Sequence, residues 1–366
     1  MPTLFNDNPK YNAWLQFVVP SVCNLSCMYC SIGETNHSVV KNTGNGQSEI
    51  FTVKRLRRTI KKISMFGIST SLILYRQRIS NQSNKMPPID VKALSKSLDR
   101  TRRIFRIGFT GGGEPFLIPN IVEACIELSK RHYLAFNTNL TSLRVRELAE
   151  RVDPAHASFH ASLHIRELER RNLMDRFIET YHVCIDRGFP IYAQEVGHPS
   201  MLKEVESYRN YFNNRGINIS FGIFKGEYQG KTYPESYTDE EIKCFGLDPV
   251  SARHIYRQKG KLCNVGYNVF LADSEGLITP CFNIPEHHGH MYGKLHFQKK
   301  IRRCPVEVCN CPFNEYDTHL FRLALEESFG RGVPEGLACN ADGSNISGAT
   351  AGANRYSSPV RSALHH

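Results

Sequence analysis

Three cysteines stand close together near the start of the sequence, in the run Cys23-Asn-Leu-Ser-Cys27-Met-Tyr-Cys30. Cysteine ligates metal as the thiolate. Three thiolates within eight residues can hold three irons of a four-iron cluster. The fourth iron then has no protein ligand and is open to a small chelating molecule. Zinc could use the same thiols, although structural zinc normally takes four protein ligands. A second constellation is Gly111-Gly112-Gly113-Glu114-Pro115. Glycines let the backbone approach a ligand closely, and Glu114 offers an acceptor to an ammonium group. Alone, such a glycine run is usually just a turn.

The chain has 12 cysteines, a high count for a reducing compartment, where clustered cysteines more often bind metal than pair as disulfides. A second, looser set comprises Cys263, Cys281, Cys304, Cys309 and Cys311. Four thiolates suit zinc and iron–sulfur alike. His287, His288 and His290 follow Cys281 and could ligate, but an exposed loop is the simpler reading. Cys125 and Cys184 fall on apolar helix faces and read as core; Cys244 and Cys339 stand alone.

These residues need elements to position them. Six short apolar segments have strand composition: residues 15–19, 106–109, 133–137, 158–163, 191–196 and 217–224. Helical patterns separate most of them. Met174, Phe177, Ile178, Tyr181, Cys184 and Ile185 follow one helix face, with Gly188 as the stop. Another helix is expected from Pro119. The stretch 31–101 is expected to hold a helix over 53–65, a polar insertion at 80–85 and a helix from about Asp90. Strands alternating with helices imply a parallel sheet or barrel, and six units fall short of the eight that close one. The expected fold is therefore α/β, a partial (β/α)6 TIM-like barrel over residues 1–230. A smaller cysteine-rich part follows at 231–329, then a tail at 330–366 too poor in apolar residues to fold. Residues 226–237, rich in Gly, Tyr and Pro, read as an ordered loop or linker.

The C-x3-C-x2-C pattern, with an aromatic before its last cysteine and a glycine–glycine–glutamate motif after the second strand, resembles the radical S-adenosylmethionine (radical SAM) superfamily. The resemblance covers about residues 15–224 and implies a [4Fe-4S] cluster on Cys23, Cys27 and Cys30. It implies that Gly112, Gly113 and Glu114 meet the amino group of SAM. It places Asn137, Asn139, Ser162, His164, Gln194 and Glu195 at strand ends that contact SAM or the substrate. By position only, Lys225 could meet the carboxylate of SAM or an anionic substrate, and Glu227, Tyr228, Tyr233 and Tyr237 could shape the pocket. Glu195 and Tyr228 are the candidate catalytic residues. His156 and His160 read as structural. Cys263-x12-Gly276-x4-Cys281 resembles the opening of the auxiliary-cluster domain called SPASM, or its shortened form called twitch. The later cysteines fall short of the full pattern, so one further iron–sulfur cluster is expected.

The chemistry implied by that resemblance is reductive cleavage of SAM to a 5′-deoxyadenosyl radical, which abstracts a hydrogen atom from an unactivated C–H bond. An electron donor such as a flavodoxin or ferredoxin is the implied partner. A sugar-like or other polar small molecule is the favoured substrate, because no peptide-recognition domain fits ahead of Leu15 and the Tyr-rich loop and basic surface suit a hydroxylated or phosphorylated small molecule; a peptide-modifying maturase is the alternative. A reading of another class is a non-catalytic zinc protein that binds nucleic acid through its basic runs. The net charge is +11, with runs at 54–62, 100–106 and 299–303. No aromatic residues interleave with these charges at a stacking spacing, so nucleic acid is not the expected partner. No apolar run approaches the roughly 20 residues of a membrane span, and the first 14 residues do not resemble a signal peptide. A cytoplasmic location is expected.

Overall fold

The apolar segments form strands β1 (Ala13–Val19), β2 (Phe105–Gly111), β3 (Tyr133–Thr138), β4 (Ala157–Ser162), β5 (Ile191–Val196) and β6 (Ile219–Gly222). They lie side by side in sequence order, and β3 to β6 pair in parallel. Parallel neighbours need a long crossover. Helices supply it: α1 (Val91–Asp99), α2 (Ile121–Ser129), α3 (Arg144–Arg151), α4 (Ile165–Arg170) with α5 (Met174–Asp186), and α6 (Val205–Asn213). This computed structural model describes residues 10–30, 40–42, 48–50, 86–249, 252, 258–307 and 318–330. The expected helix at 53–65, the insertion at 80–85, the tail beyond 330, and Cys309, Cys311 and Cys339 lie outside those residues.

Side chains alternate across a strand, and one face of this sheet is aromatic. Phe109 stacks on Phe136 at 5.2 Å and Phe136 on Phe159 at 5.4 Å; Phe116 closes on Phe136 at 5.1 Å. All four are buried. The helices cover this face. On α5 the buried residues are Phe177, Thr180, Tyr181 and Cys184, and Gly188 follows at φ +84°, so the helix ends as its spacing predicts. The helix expected from Pro119 begins instead at Ile121, with Asn120 as its cap. The Asn120 side chain does not cap. It is paired with the backbone of Ile89, donating to its carbonyl at 2.8 Å and accepting from its N–H at 2.9 Å.

The chain divides into two compact units. One comprises Phe17–Ser95 and Ile107–His254. It extends past the boundary expected at residue 230, because Tyr233 lies 5.7 Å from Phe224 and 4.9 Å from Tyr237, and Phe245 lies 5.4 Å from Phe221. Within it, the expected loop at 226–237 contains a hairpin, β7 (Gly226–Tyr228) against β8 (Lys231–Tyr233). Its two-residue turn, Gln229-Gly230, has both φ values positive, +49° and +73°, the backbone that matches strand twist in tight hairpins. Helix α7 (Asp239–Phe245) follows, with a reciprocal Thr238–Glu241 capping box.

The other unit comprises Met1–Gln16, Lys96–Arg106 and Ile255–His366. Its described parts include β9 (Leu262–Cys263) paired with β12 (Arg302–Arg303), the β10 (Val269–Ala272) and β11 (Ile278–Thr279) hairpin, and α8 (Thr318–Phe329). Tyr267, Ile301, Ala324 and Leu325 form a small core there. Among the described residues no helix is long and apolar enough to cross a membrane.

Phe159 contacts Phe116, Phe136 and Phe189. Phe159→Ala should lower stability by about 3–5 kcal/mol, the cost of an aromatic-sized cavity, read as a fall in the denaturation midpoint. A shift below about 1 kcal/mol would mean that this stack is not the centre of the barrel core.

Candidate active site

The three cysteines sit on the loop after β1, with Cys23 exposed and Cys27 and Cys30 half-buried. The Cys30 N–H donates to the Cys27 carbonyl at 3.1 Å, turning the loop. Two donors address Cys23 Sγ: the Leu25 N–H at 3.4 Å and Asn139 Nδ2 at 3.9 Å. Such bonds favour a sulfur that carries negative charge, as cluster thiolates do. Burial raises the Cys23 and Cys27 thiols, and the neighbouring thiols raise them further, so metal must displace their protons. Three thiols on one eight-residue loop, each able to take a different iron, with N–H donors aimed at Cys23, are a donor set that fits an iron–sulfur cluster.

The glycine tip of β2 closes against this loop. The Gly112 N–H donates to the Val19 carbonyl at 3.2 Å and the Glu114 N–H to the Val22 carbonyl at 3.0 Å. A Cβ on Gly113 would stand 2.2 Å from the Val22 oxygen and 2.3 Å from the Pro20 oxygen, and one on Gly112 2.7 Å from Ser21 Oγ. What these glycines admit is the chain's own backbone. From sequence, Glu114 is a free acceptor for an ammonium. In the structure it is only 2% exposed. Its Oε1 accepts from the Phe116 N–H (3.1 Å) and the Thr138 hydroxyl (2.7 Å), and its Oε2 from the Asn139 N–H (2.8 Å). Burial pushes its carboxyl up to about 7, against the pull of those three donors. Asn139 is also turned inward, donating to Asn24 Oδ1 at 2.9 Å and accepting from the Thr141 hydroxyl at 2.6 Å.

The opposite side of the loop is held from α4 and β5. Glu167 Oε1 accepts from the Ser26 N–H at 2.9 Å. Arg170 and Arg171 grip the same carboxylate at 2.6–2.8 Å, holding it down near 2 with Arg170 the larger cause. Arg171 also donates to the Asn24 carbonyl at 2.7 Å. Tyr29, between the last two cysteines, donates its hydroxyl to Glu195 Oε1 at 2.6 Å and lies 3.0 Å from His164 Nδ1. Glu195 further accepts from the Ile165 N–H at 2.6 Å and its neighbour's N–H, that of Val196, at 2.7 Å. Burial pushes Glu195 up to about 7 and His164 down to about 4, so this histidine is neutral at pH 7.

The remaining expected residues separate into groups. Asn137, Ser162 and Gln194 lie on the sheet face opposite the phenylalanines, where Asn137 donates to Thr110 Oγ1 at 2.7 Å. Tyr228 sits edge-on to His198 at 4.6 Å, and His198 in turn stacks on Tyr29 at 6.0 Å. Lys225 is exposed on the loop beyond β6. Glu167, Tyr29 and His198 are supports that sequence alone does not single out, although Tyr29 is the motif aromatic and Glu167 precedes two arginines at helical spacing. In the other unit, Cys263 is buried and Cys281 and Cys304 are half-buried. Cys263 pairs with Arg302, and the Cys304 N–H donates to the Lys261 carbonyl at 2.8 Å. The expected exposed histidine loop is partly ordered inward. His288 is buried with Nδ1 2.7 Å from the His296 carbonyl, and His290 Nε2 lies 3.0 Å from the Glu275 carbonyl.

The profile of the Radical SAM superfamily matches residues 17–209, more than half of the chain, and the chain belongs to that superfamily. Similar solved structures include BtrN in complex with AdoMet and 2-DOIA, at 15% identity over 78% of this chain and 80% of that one, with a TM-score of 0.34. Native anSMEcpe with bound AdoMet and Cp18Cys peptide matches at 15% identity over 76% and 77%, with a TM-score of 0.45. Streptococcus suis SuiB bound to precursor peptide SuiA matches at 13% identity over 86% and 66%, with a TM-score of 0.33. No curated protein matches in sequence.

Glu114 and Glu195 hold protons in the folded chain up to about pH 7, whereas unfolded carboxyls release theirs near 4.5. Between those values the folded state binds more protons, so stability falls as pH rises through the window. His160 and His164, held down near 4, act in the opposite direction below pH 6.5, so the effect shows as a difference: from pH 5 to pH 8 the urea midpoint of the metal-free wild type should fall relative to that of Glu195→Gln. A difference between wild type and variant that stays constant over that range would show Glu195 ionised throughout. Tyr29→Phe removes the hydroxyl between Glu195 and His164 and should cost about 1–3 kcal/mol, the effect of orphaning a buried polar group. An unchanged melting temperature would show that this bond does not hold the loop.

Proposed function

We propose that the chain holds one four-iron cluster on Cys23, Cys27 and Cys30, leaves the fourth iron to SAM, and abstracts hydrogen from a polar small molecule. The observation that carries this reading is a single loop bearing three thiols, braced from β2, β3, α4 and β5 at the carboxyl ends of a parallel barrel. Active sites of such barrels gather at those strand ends. When bound and reduced, the cluster supplies the electron that cleaves SAM, and the resulting 5′-deoxyadenosyl radical takes a hydrogen atom from the substrate. The protein's own task is geometric. Leu25 and Asn139 aim N–H donors at Cys23, and the glycine tip and Glu195 fix the two sides of the loop. Asn137, Ser162 and Gln194 face the space where SAM and substrate would lie, with Lys225 and Tyr228 beyond the last strand.

A second cluster on Cys263, Cys281 and two of Cys304, Cys309 and Cys311 belongs to the same proposal, in a twitch-like arrangement. It would accept an electron from the substrate radical or brace the pocket. A reducing partner such as a flavodoxin or ferredoxin completes the reaction.

Anaerobic reconstitution tests the assignment. About eight irons per chain are expected, falling to about four when Cys23, Cys27 and Cys30 are replaced. Wild-type protein with SAM and dithionite should yield 5′-deoxyadenosine, and Cys27→Ala should not. About four irons, all lost in the triple variant, would remove the second cluster and keep the first. Zinc without iron or sulfide after reconstitution would overturn the proposal and favour a zinc-binding protein.

A further inference from the structure

Strands β2 to β6 carry opposite chemistries on their two faces. Under the helices the alternate residues are Phe109, Phe136 and Phe159. On the other face they include Thr110, Asn137, His160, Tyr192, Gln194 and Ser220, with Arg106 at the start of β2 packed over the Trp14 ring at 4.7 Å. These come into rows by register. Asn137 lies opposite His160 and His160 opposite Tyr192, while Gln194 lies opposite Ser220. The His160 and Tyr192 rings stack at 4.5 Å. A parallel sheet buried on both faces normally reads as a continuous apolar run. This one is apolar on one face only, so its polar face is built to meet water or a ligand.

Two features narrow what that ligand is. First, no Asp, Glu, Lys or Arg occupies this face from Thr110 through β6. Burial, with the nearby His164, holds His160 down near 4, so its ring is neutral as well. A phosphate or carboxylate requires a cation or several converging N–H groups, and the wall offers neither. Second, the half-buried His160 ring makes no hydrogen bond among the described residues, its contact being the stack on Tyr192. Such a group needs a partner from outside the chain. An apolar ligand would leave His160 unpaired, whereas the Gln194 amide already donates to Ser220 Oγ at 3.5 Å and has its carbonyl oxygen to offer. Gly222 leaves the Gln194 amide its place, since a Cβ there would stand 2.9 Å from Oε1.

The geometry points to this face as a recognition wall for an uncharged, polyhydroxylated ring, a sugar or cyclitol, with His160 and Gln194 hydrogen-bonding its hydroxyls beside Tyr192. This assignment rests on the radical enzyme reading, which requires the substrate to lie inside the barrel.

The test uses the full chain, reconstituted with iron and sulfide and supplied with SAM. Equilibrium dialysis measures binding of labelled D-glucose, N-acetyl-D-glucosamine and myo-inositol, and of glucose 6-phosphate and myo-inositol 1-phosphate. At least one neutral ring should bind, and at least about tenfold more tightly than its phosphate. His160→Phe keeps the stack on Tyr192 and removes the ring nitrogens, and should weaken that binding about tenfold, the effect of one lost hydrogen bond. His160→Gln should restore part of it. If the Phe variant does not fold, Gln194→Met takes its place with the same expected loss. Binding of no neutral ring, equal or tighter binding of a phosphate, or undiminished binding in the variant would each overturn the assignment. Failure of the underlying reading shows separately, as absence of 5′-deoxyadenosine from the wild-type protein with SAM and dithionite.

Discussion

The closure of the cysteine loop on the glycine tip of β2 is the contact on which the site depends. It is made by backbone on both sides, through Gly112 to Val19 and Glu114 to Val22. The approach is so tight that a Cβ on Gly113 would stand 2.2 Å from a carbonyl oxygen. No side-chain rotation can relieve a clash between backbones, so this position tolerates glycine alone. Once the loop is pinned there, Glu114 must point inward, where it takes up Thr138 and the Asn139 N–H at the end of β3. Asn139 then reaches back to Asn24 in the loop. One closed circuit thus ties β1, β2 and β3 to the residues that carry the thiols.

Three glutamates from three strand-to-helix junctions serve this loop, and their donors set their charge. Glu167 meets two guanidinium groups and is held near 2. Glu114 and Glu195 meet only neutral donors in full burial and are pushed up to about 7. Charged donors compensate the loss of water around a carboxylate, and neutral ones do so only in part. The consequence lies next door. Glu167 and Glu195 both act to raise Cys27, which must become a thiolate to bind iron. Glu195 near neutrality adds less negative charge beside that thiolate than a fully ionised carboxylate would, while Arg170 and Arg171 offset Glu167.

Much of the barrel is legible in the sequence because its signals are local. Strands of parallel sheets are short apolar runs between helical patterns, and β5 was bounded at 191 and 196 by composition alone. The motif cysteines are legible for the same reason, being eight contiguous residues. What is not legible depends on distant partners. Glu114 and Glu195 read as groups facing a ligand, since carboxylates at strand ends often do, yet both are buried by contacts 24 to 166 residues away in the chain. The Gln229-Gly230 hairpin lacks the Asn-Gly or Asp-Gly signature that marks such turns. The packing of Tyr233, Tyr237 and Phe245 beside Phe221 and Phe224 is tertiary, and composition does not show it.

Net charge is a further case in which a whole-chain quantity misleads about a site. A value of +11 invites an anionic partner. Yet in the basic run at 100–106, Arg103 packs over the Tyr267 and Phe297 rings at 5.2 and 4.7 Å, and Arg106 over Trp14 at 4.7 Å. Arg302, in the last run, pairs with Glu286 at 2.8 Å. These cations hold the structure together through cation–π contacts and an ion pair. From Thr110 through β6 the sheet face opposite the phenylalanines carries neutral polar side chains, and Arg106, on the same face at the start of β2, is taken up by Trp14. Surface charge governs solubility and encounter, so the whole-chain value says little about the chemistry of that face.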